Sequence, residues 1–212
     1  MQLSAVVLAA GLSSRMGGQP KALLRFDPRD TFVTRIVRTF NESGIHDVVV
    51  VVGHEAPRVS AAVRASGLLA RCVVNAGYAD GQLSSLLAGL DAADASGADG
   101  LLLALVDAPA FSTQTVHALV RRFEETRAPV VRAVRGSEHG HPVLIGRALF
   151  CALRSADPSR GAKPVVRAAA SADGDVRVDD PGAFLDVDTP DDYARYVARR
   201  RLAGDDAAGP GR

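Results

Sequence analysis

The chain has 212 residues, 47% hydrophobic and 23% charged, long enough for one large α/β domain with a substantial core. Its 25 basic and 24 acidic side chains leave a formal net charge of +1, so no global field draws it to nucleic acid or to an anionic membrane. Met1-Gln2 is not a cationic leader and the apolar stretch to Ala10 is too short to span a bilayer, which points to a cytoplasmic protein.

Short apolar, β-branched runs alternate with segments of helical period. In chain order the pattern predicts a strand at Leu3–Leu8, a helix at Phe32–Glu42, a strand at Asp47–Val52, a helix at Pro57–Ala65 and a strand at Arg71–Val74. A helix at Leu83–Ala95, a strand at Leu101–Leu105, a helix at Thr113–Thr126 and a strand at Val130–Val134 follow. Continuous apolar strands are expected when helices cover both faces of a parallel sheet, so the fold class is α/β with a single doubly wound, mostly parallel sheet.

After Val134 the pattern changes. Gly136–Pro142 reads as a turn-rich loop holding His139 and His141, and the run from His141 to Gly146 as a short strand. Helices are predicted at Ala148–Leu153, Lys163–Ala170 and Asp191–Leu202, with an edge strand at Val176–Val178. Ser112 and Thr189 stand where N-caps belong, the latter followed by Pro190 and two carboxylates that the helix dipole favours. Arg199, Arg200 and Arg201 read as a solvated last turn. No repeat or linker divides the chain, so residues 1–203 are expected as one domain and 204–212 as a frayed tail. Cys72 and Cys151 lie in apolar contexts without Cys-x-x-Cys spacing and read as buried, reduced thiols.

The first strand feeds a Gly- and Ser-rich loop, Gly11-Leu12-Ser13-Ser14-Arg15-Met16-Gly17-Gly18, followed by Gln19-Pro20-Lys21. Small residues let a backbone approach phosphates closely, and Arg15 and Lys21 can neutralise oxygens the backbone does not reach. The dinucleotide pattern G-x-G-x-x-G fails at its second glycine, and the P-loop pattern fails because Gly11 to Gly17 is one residue too long and Gly18 stands where lysine belongs. The pattern L-A-[AG]-G-x-S-x-R-M with a later lysine is matched in order by Leu8, Ala9, Ala10, Gly11, Ser13, Arg15, Met16 and Lys21.

With those residues the chain resembles the MobA-like NTP transferases, and within them the molybdenum cofactor cytidylyltransferases. Three further blocks carry the resemblance: Asn75 to Leu86, Leu105-Val106-Asp107-Ala108-Pro109, and Gly140-His141-Pro142-Val143-Leu144 together with Leu185 to Tyr193. The resemblance implies a Rossmann-like nucleotidyltransferase fold. It also implies transfer of a nucleoside monophosphate from an NTP to a phosphorylated acceptor, molybdopterin in these relatives, with release of pyrophosphate and delivery to a recipient molybdoenzyme. A sugar-phosphate or polyol-phosphate acceptor stays open, because Gly18 extends the loop and Val106 replaces the usual glycine before Asp107. A nucleotide-binding regulator without turnover is the alternative of a different class.

Each candidate has a plainer reading beside the functional one. Arg15 and Lys21 are triphosphate ligands or solvated loop cations. Ser13 and Ser14 donate to phosphate or satisfy their own loop. Asp107, at the carboxyl end of a strand, holds Mg²⁺ against the triphosphate or caps a helix before Pro109. Asp186 and Asp188, two apart in an extended segment, point the same way, and either can supply a second carboxylate. Leu8, Ala9, Ala10 and Gly11 shape the nucleotide site. Asn75, Gly81, Ser84 and Ser85 read a base or ribose, or merely begin the helix that follows. His141 touches the acceptor or makes a turn, and His139 and His141 lack a third ligand for zinc. Ala10 leans toward CTP over GTP by resemblance, its methyl trimming the pocket against a purine. In-line phosphoryl transfer needs positioning and charge neutralisation, with no nucleophilic Ser or Cys.

Overall fold

The computed structural model describes residues 1–202; the expected tail at 204–212 lies outside them. The strands are β1 (Leu3–Ala9), β2 (Asp47–Val52), β3 (Arg71–Val74), β4 (Gly100–Leu105), β5 (Val130–Arg135), β6 (Glu138–Gly146) and β7 (Asp175–Arg177). The helices are α1 (Phe32–Glu42), α2 (Ala56–Ala65), α3 (Gln82–Ala95), α4 (Thr113–Thr126), α5 (Phe150–Arg154), α6 (Lys163–Ala169) and α7 (Pro190–Leu202). All seven strands form one sheet in the order β3-β2-β1-β4-β6-β5-β7. β6 runs antiparallel to both its neighbours, β4 and β5, while the remaining pairs are parallel.

Alternation along the strands sends side chains to opposite faces. Ala5, Val7 and Ala9 of β1 join Val50 and Leu102 in a core closed by α1, α2 and α4. Val6, Leu8 and Ala10 join Val49 and Leu101 under α3, with α5 and the apolar side of α6. A Cβ at Gly89 would run into the Val6 side chain, so α3 lies directly on β1. Connections leave β1 toward β2 on one side, and the chain returns to β1's other side with β4. That reversal opens a crevice at the carboxyl ends of β1 and β4, where open α/β sheets place their sites.

The helices start where the sequence says they should. Thr31 accepts from the Thr34 amide, Thr34 Oγ accepts from the Thr31 amide, and Ser112 Oγ accepts from the Thr115 amide. The segment after β5 differs from expectation. Arg135 pairs with Glu138 across the two residues Gly136-Ser137, Gly136 at φ 61, so the predicted loop is a tight hairpin and His139 and His141 lie on β6. The helix expected at Ala148–Leu153 is a 3-10 turn, Arg147–Leu149, leading into α5.

Two further expectations are corrected. Cys151 is exposed and Cys72 half-buried, because Cys151 falls on the outer side of the short helix α5 while Phe150 and Leu153 take its core positions. Arg200 is not a solvated cap. It donates to the Phe26 carbonyl at 2.8 Å and lies 4.8 Å from the centre of the Phe26 ring, docking α7 onto the segment after the first loop. Among the described residues no helix is long and apolar enough to cross a membrane.

Candidate active site

The loop after β1 is exposed but tethered. Ser13 takes a left-handed φ of 51°, uncommon for a residue with a Cβ and concentrated at functional loops. Its carbonyl accepts from the Met16 amide at 2.8 Å, and its hydroxyl accepts from the Lys21 amide at 3.0 Å. Met16 is the buried anchor, packed in a small cluster with Leu24, Phe32, Val187 and Tyr196. Ser14 and Arg15 stay exposed, and among the described residues the Arg15 side chain has no ion-pair or hydrogen-bond partner.

Asp107 reaches the same place from β4. The Val106 amide extends the ladder to the Leu8 carbonyl at 3.2 Å, and the Asp107 carbonyl accepts from the Val187 amide at 2.8 Å. That last bond pins the Leu185–Asp188 segment beside the two strand ends. Asp192 holds it from the other side: its carboxylate accepts from the amides of Asp188 at 3.2 Å and Thr189 at 2.8 Å. The Thr189 hydroxyl and amide hold Asp192's pKa down to about 2.

The Lys21 ammonium therefore sits between two carboxylates distant in sequence, 2.6 Å from Asp188 Oδ1 and 3.3 Å from Asp107 Oδ2. The lysine is 12% exposed, and Asp107 and Asp188 are 26% and 48% exposed. Asp107 Oδ1 is buried without a hydrogen-bond partner among the described residues. A cavity of about 230 Å³ is lined by Ser13, Ser14, Arg15, Lys21, Asp107 and Asp188, with Gly11 at its edge. Two cations and two carboxylates cancel there. A polyphosphate entering it would meet no net positive charge, so a hard cation that takes carboxylate and phosphate oxygens fits the donor set. Among the described residues no group of three or more His, Cys, Asp and Glu is arranged to hold a metal, and the carboxylates lining this cavity are those of Asp107 and Asp188.

A second cavity, about 280 Å³, adjoins the first through Gly11 and Asp107. Leu8, Ala10, Gly81 and Ser85 line it, as does Tyr78, whose side chain lies over Gly53 next to Ala10. Asn75 and Ser84 do not line it; they build its wall. Asn75 donates to Ser84 Oγ at 2.9 Å and Ser85 Oγ at 3.0 Å and accepts from the Gly77 amide at 3.0 Å, fastening the loop after β3 to the start of α3. Ala9 points into the opposite core and can offer only its backbone.

Asp186 and His141 stand behind the carboxylate pair. Crowding by protein pushes the Asp186 carboxyl above the usual carboxylate range; nearby His141 and Lys21 oppose the shift and Asp107 and Asp188 reinforce it. Burial pushes the His141 ring below its ordinary value against the pull of Asp186, Asp107 and the nearby Leu103 backbone, and its Nδ1 is buried without a hydrogen-bond partner among the described residues. Of the two candidate second ligands, Asp188 touches Lys21 and lines the first cavity; Asp186 does neither. His139 is exposed and takes no part.

Tyr78 and Gln82, which flank Gly81, line the second cavity and were not singled out from the sequence. Their signal was their place inside the motif around Gly81; nothing in an isolated Tyr or Gln marks a cavity wall.

A cation-bearing loop and facing carboxylates at the switch point of a doubly wound sheet define the nucleotidyltransferase class of α/β protein. The MobA-like NTP transferase domain family matches residues 5–174, and the chain belongs to it. The nicotine blue oxidoreductase of Paenarthrobacter nicotinovorans is 35% identical over 181 residues, 83% of this chain and 80% of that protein. A nucleotidyl transferase from Methanothermobacter thermautotrophicus superposes with a TM-score of 0.77 at 27% identity, covering 95% of this chain and 99% of that one. Rv0371c of Mycobacterium tuberculosis in complex with manganese superposes with a TM-score of 0.66 at 26% identity, covering 93% and 99%.

Proposed function

We propose that this protein transfers CMP from CTP to a phosphorylated acceptor, molybdopterin, and releases pyrophosphate with Mg²⁺ as its metal. The observation that carries the reading is the Asp107–Lys21–Asp188 contact beside Arg15 and the glycine loop. The base and ribose occupy the cavity under Tyr78, with Ser85 and the Gly81 backbone at their edge. The triphosphate occupies the cavity of Arg15 and Lys21, and the α-phosphate falls at Gly11 and Asp107, which both cavities share.

The acceptor phosphate attacks the α-phosphorus in line; one P–O bond forms as the bond to the β-phosphate oxygen breaks. The acceptor is ionised at neutral pH and needs no general base. Arg15 and Lys21 neutralise the departing pyrophosphate, charge that grows as the bond breaks and is therefore where fixed cations help most. Asp107 and Asp188 would hold the metal, which supplies charge neutralisation across the phosphates when bound. The manganese complex of the mycobacterial relative supports a divalent cation here.

The preference for CTP rests on Ala10, whose methyl lines the base cavity where glycine would leave room. The likeness to nicotine blue oxidoreductase carries a second reading, a redox enzyme on the same fold. The test is pyrophosphate release from CTP and from GTP with Mg²⁺ and three acceptors: molybdopterin, a sugar phosphate and a polyol phosphate. Release with CTP and molybdopterin is expected. Release only with GTP overturns the base assignment, release only with another acceptor overturns molybdopterin, and no release with any pair favours the redox reading.

A further inference from the structure

Lys21 has two partners to serve. In the protein alone its ammonium lies 2.6 Å from Asp188 Oδ1 and 3.3 Å from Asp107 Oδ2, the carboxylates that would hold the metal. Transfer needs the same ammonium on the departing phosphates. The backbone at Lys21 is fixed: its amide donates to Ser13 Oγ at 3.0 Å, its carbonyl accepts from the Leu24 amide at 3.1 Å, and the next residue, Ala22, is buried in the core. The flexible four-carbon stem can still carry the charge across the cavity that Ser13, Ser14 and Arg15 also line. Lys21 also leaves its partners half-served. Asp107 Oδ1 is buried without a hydrogen-bond partner among the described residues, an acceptor that a divalent cation, with its preference for carboxylate oxygens, would use.

Charge decides when that cation enters. One ammonium between two carboxylates leaves a single negative charge, and Arg15 on the same cavity offsets it. A divalent ion arriving by itself meets no net attraction and displaces an ammonium that has no other anion to go to. A triphosphate supplies that anion. We infer that Lys21 is a placeholder for the metal: it holds the carboxylate pair in the protein alone and yields it as a triphosphate takes up the ammonium. Metal and nucleotide then bind together, each tightening the other. The inference rests on the transferase reading above, in which Asp107 and Asp188 would hold the metal. After transfer the exchange runs backward, and the returning ammonium favours departure of the metal with pyrophosphate.

Two measurements on the full chain test the exchange without reading turnover. The first is Mn²⁺ binding in the absence of nucleotide, followed by loss of the free-ion EPR signal. Lys21→Met removes the charge from a side chain of similar reach, so the variant should bind Mn²⁺ at least ~10-fold more tightly than wild type, the worth of one close positive charge. Lys21→Arg keeps the charge and should stay within about three-fold of wild type. At constant ionic strength Mg²⁺ should raise the melting temperature of Lys21→Met and leave that of wild type unchanged. The second measurement uses the wild-type chain, whose two lysines are Lys21 and Lys163. Isotope-labelled lysine gives two ε-methylene NMR signals, assigned by their loss in Lys21→Arg. Mg²⁺ alone should leave both in place. Mg²⁺ with pyrophosphate should shift Lys21 and leave Lys163, which lies outside this cavity.

Equal Mn²⁺ affinity in wild type and Lys21→Met overturns the placeholder. So does a Lys21 signal that stays still with Mg²⁺ and pyrophosphate, or that moves as far with Mg²⁺ alone; should Lys21→Met fail to fold, this signal decides. Either result alongside pyrophosphate release from CTP leaves the transferase reading standing without the exchange. Tighter Mn²⁺ binding in Lys21→Met, with no pyrophosphate release from any nucleotide by wild type, keeps the exchange and overturns the transferase reading.

Discussion

The loops after β1 and β3 face each other across the same crevice, yet they are held in opposite ways. The loop after β3 satisfies itself: Asn75 bonds Ser84, Ser85 and the Gly77 amide, all within ten residues. The loop after β1 leaves Arg15 unpaired among the described residues and ties Lys21 to Asp107 and Asp188, 86 and 167 positions away. Polar groups that bond their neighbours shape a wall. Polar groups that wait on remote partners carry the chemistry, because a ligand can replace those partners. Substitutions in the first loop should cost turnover, and substitutions in the second should cost order and binding.

The sharpest separation comes from Asp107→Ala. Removing one preorganised charge from a transfer site lowers turnover by about 10² to 10³-fold, so pyrophosphate release should fall by that much while the melting temperature barely moves. An equal loss of both would place Asp107 in the scaffold. Asn75→Ala should show the reverse pattern. It strands the Ser85 hydroxyl and the Gly77 amide, a cost of about 1–3 kcal/mol read by urea unfolding, and it should raise CTP KM more than it lowers kcat. Ala10→Gly is a smaller change at the boundary of the two loops. Pocket trimming by a single methyl is worth about 1–3 kcal/mol at most, so the ratio of CTP to GTP efficiency should fall by roughly ten-fold, measured with both nucleotides at limiting concentration.

The smallest effect concerns pH. The His141 ring titrates below its ordinary 6.5 in the folded chain, chiefly through burial. The unfolded chain therefore takes up this proton first on acidification, and the stability that neutral His141 confers is present above 6.5 and drains as pH falls through that value toward the folded pKa. Thermal melts between pH 8 and pH 5 should slope downward across that window, roughly one proton's worth, and His141→Asn should flatten the slope.

Much of this was legible in the chain because it was local. The strand before Gly11, the periodicity of α1 and α4, the caps at Ser112 and Thr189 and the order of Ser13, Arg15 and Lys21 are short-range patterns. Asp107 was legible too, since a carboxylate closing an apolar strand is conspicuous. What the residues alone left open was set by contacts between distant segments. Spacing alone does not separate Asp186 from Asp188, and resemblance favours Asp188 only through its place before Thr189-Pro190. Only the Asp107–Val187 backbone bond and the burial of Val187 decide which one meets Lys21. The hairpin at Gly136-Ser137 was hidden because His139 and Gly140 carry no strand signal; β6 forms there by pairing with β5. Arg200 looked like a solvent cation until α7 met Phe26.

The contact between Lys21 and Asp188 also sets an order of events in the making of the protein. Synthesis delivers the cation loop first and its counter-carboxylate 167 residues later. A nascent or truncated chain ending before α7 holds all seven strands, Asp107 and Asp188, but lacks the Asp192 carboxylate that positions Asp188. The last helix is thus the closing part of the site as well as of the fold, and its loss leaves a sheet in which one of the first loop's two anchors is no longer held in place.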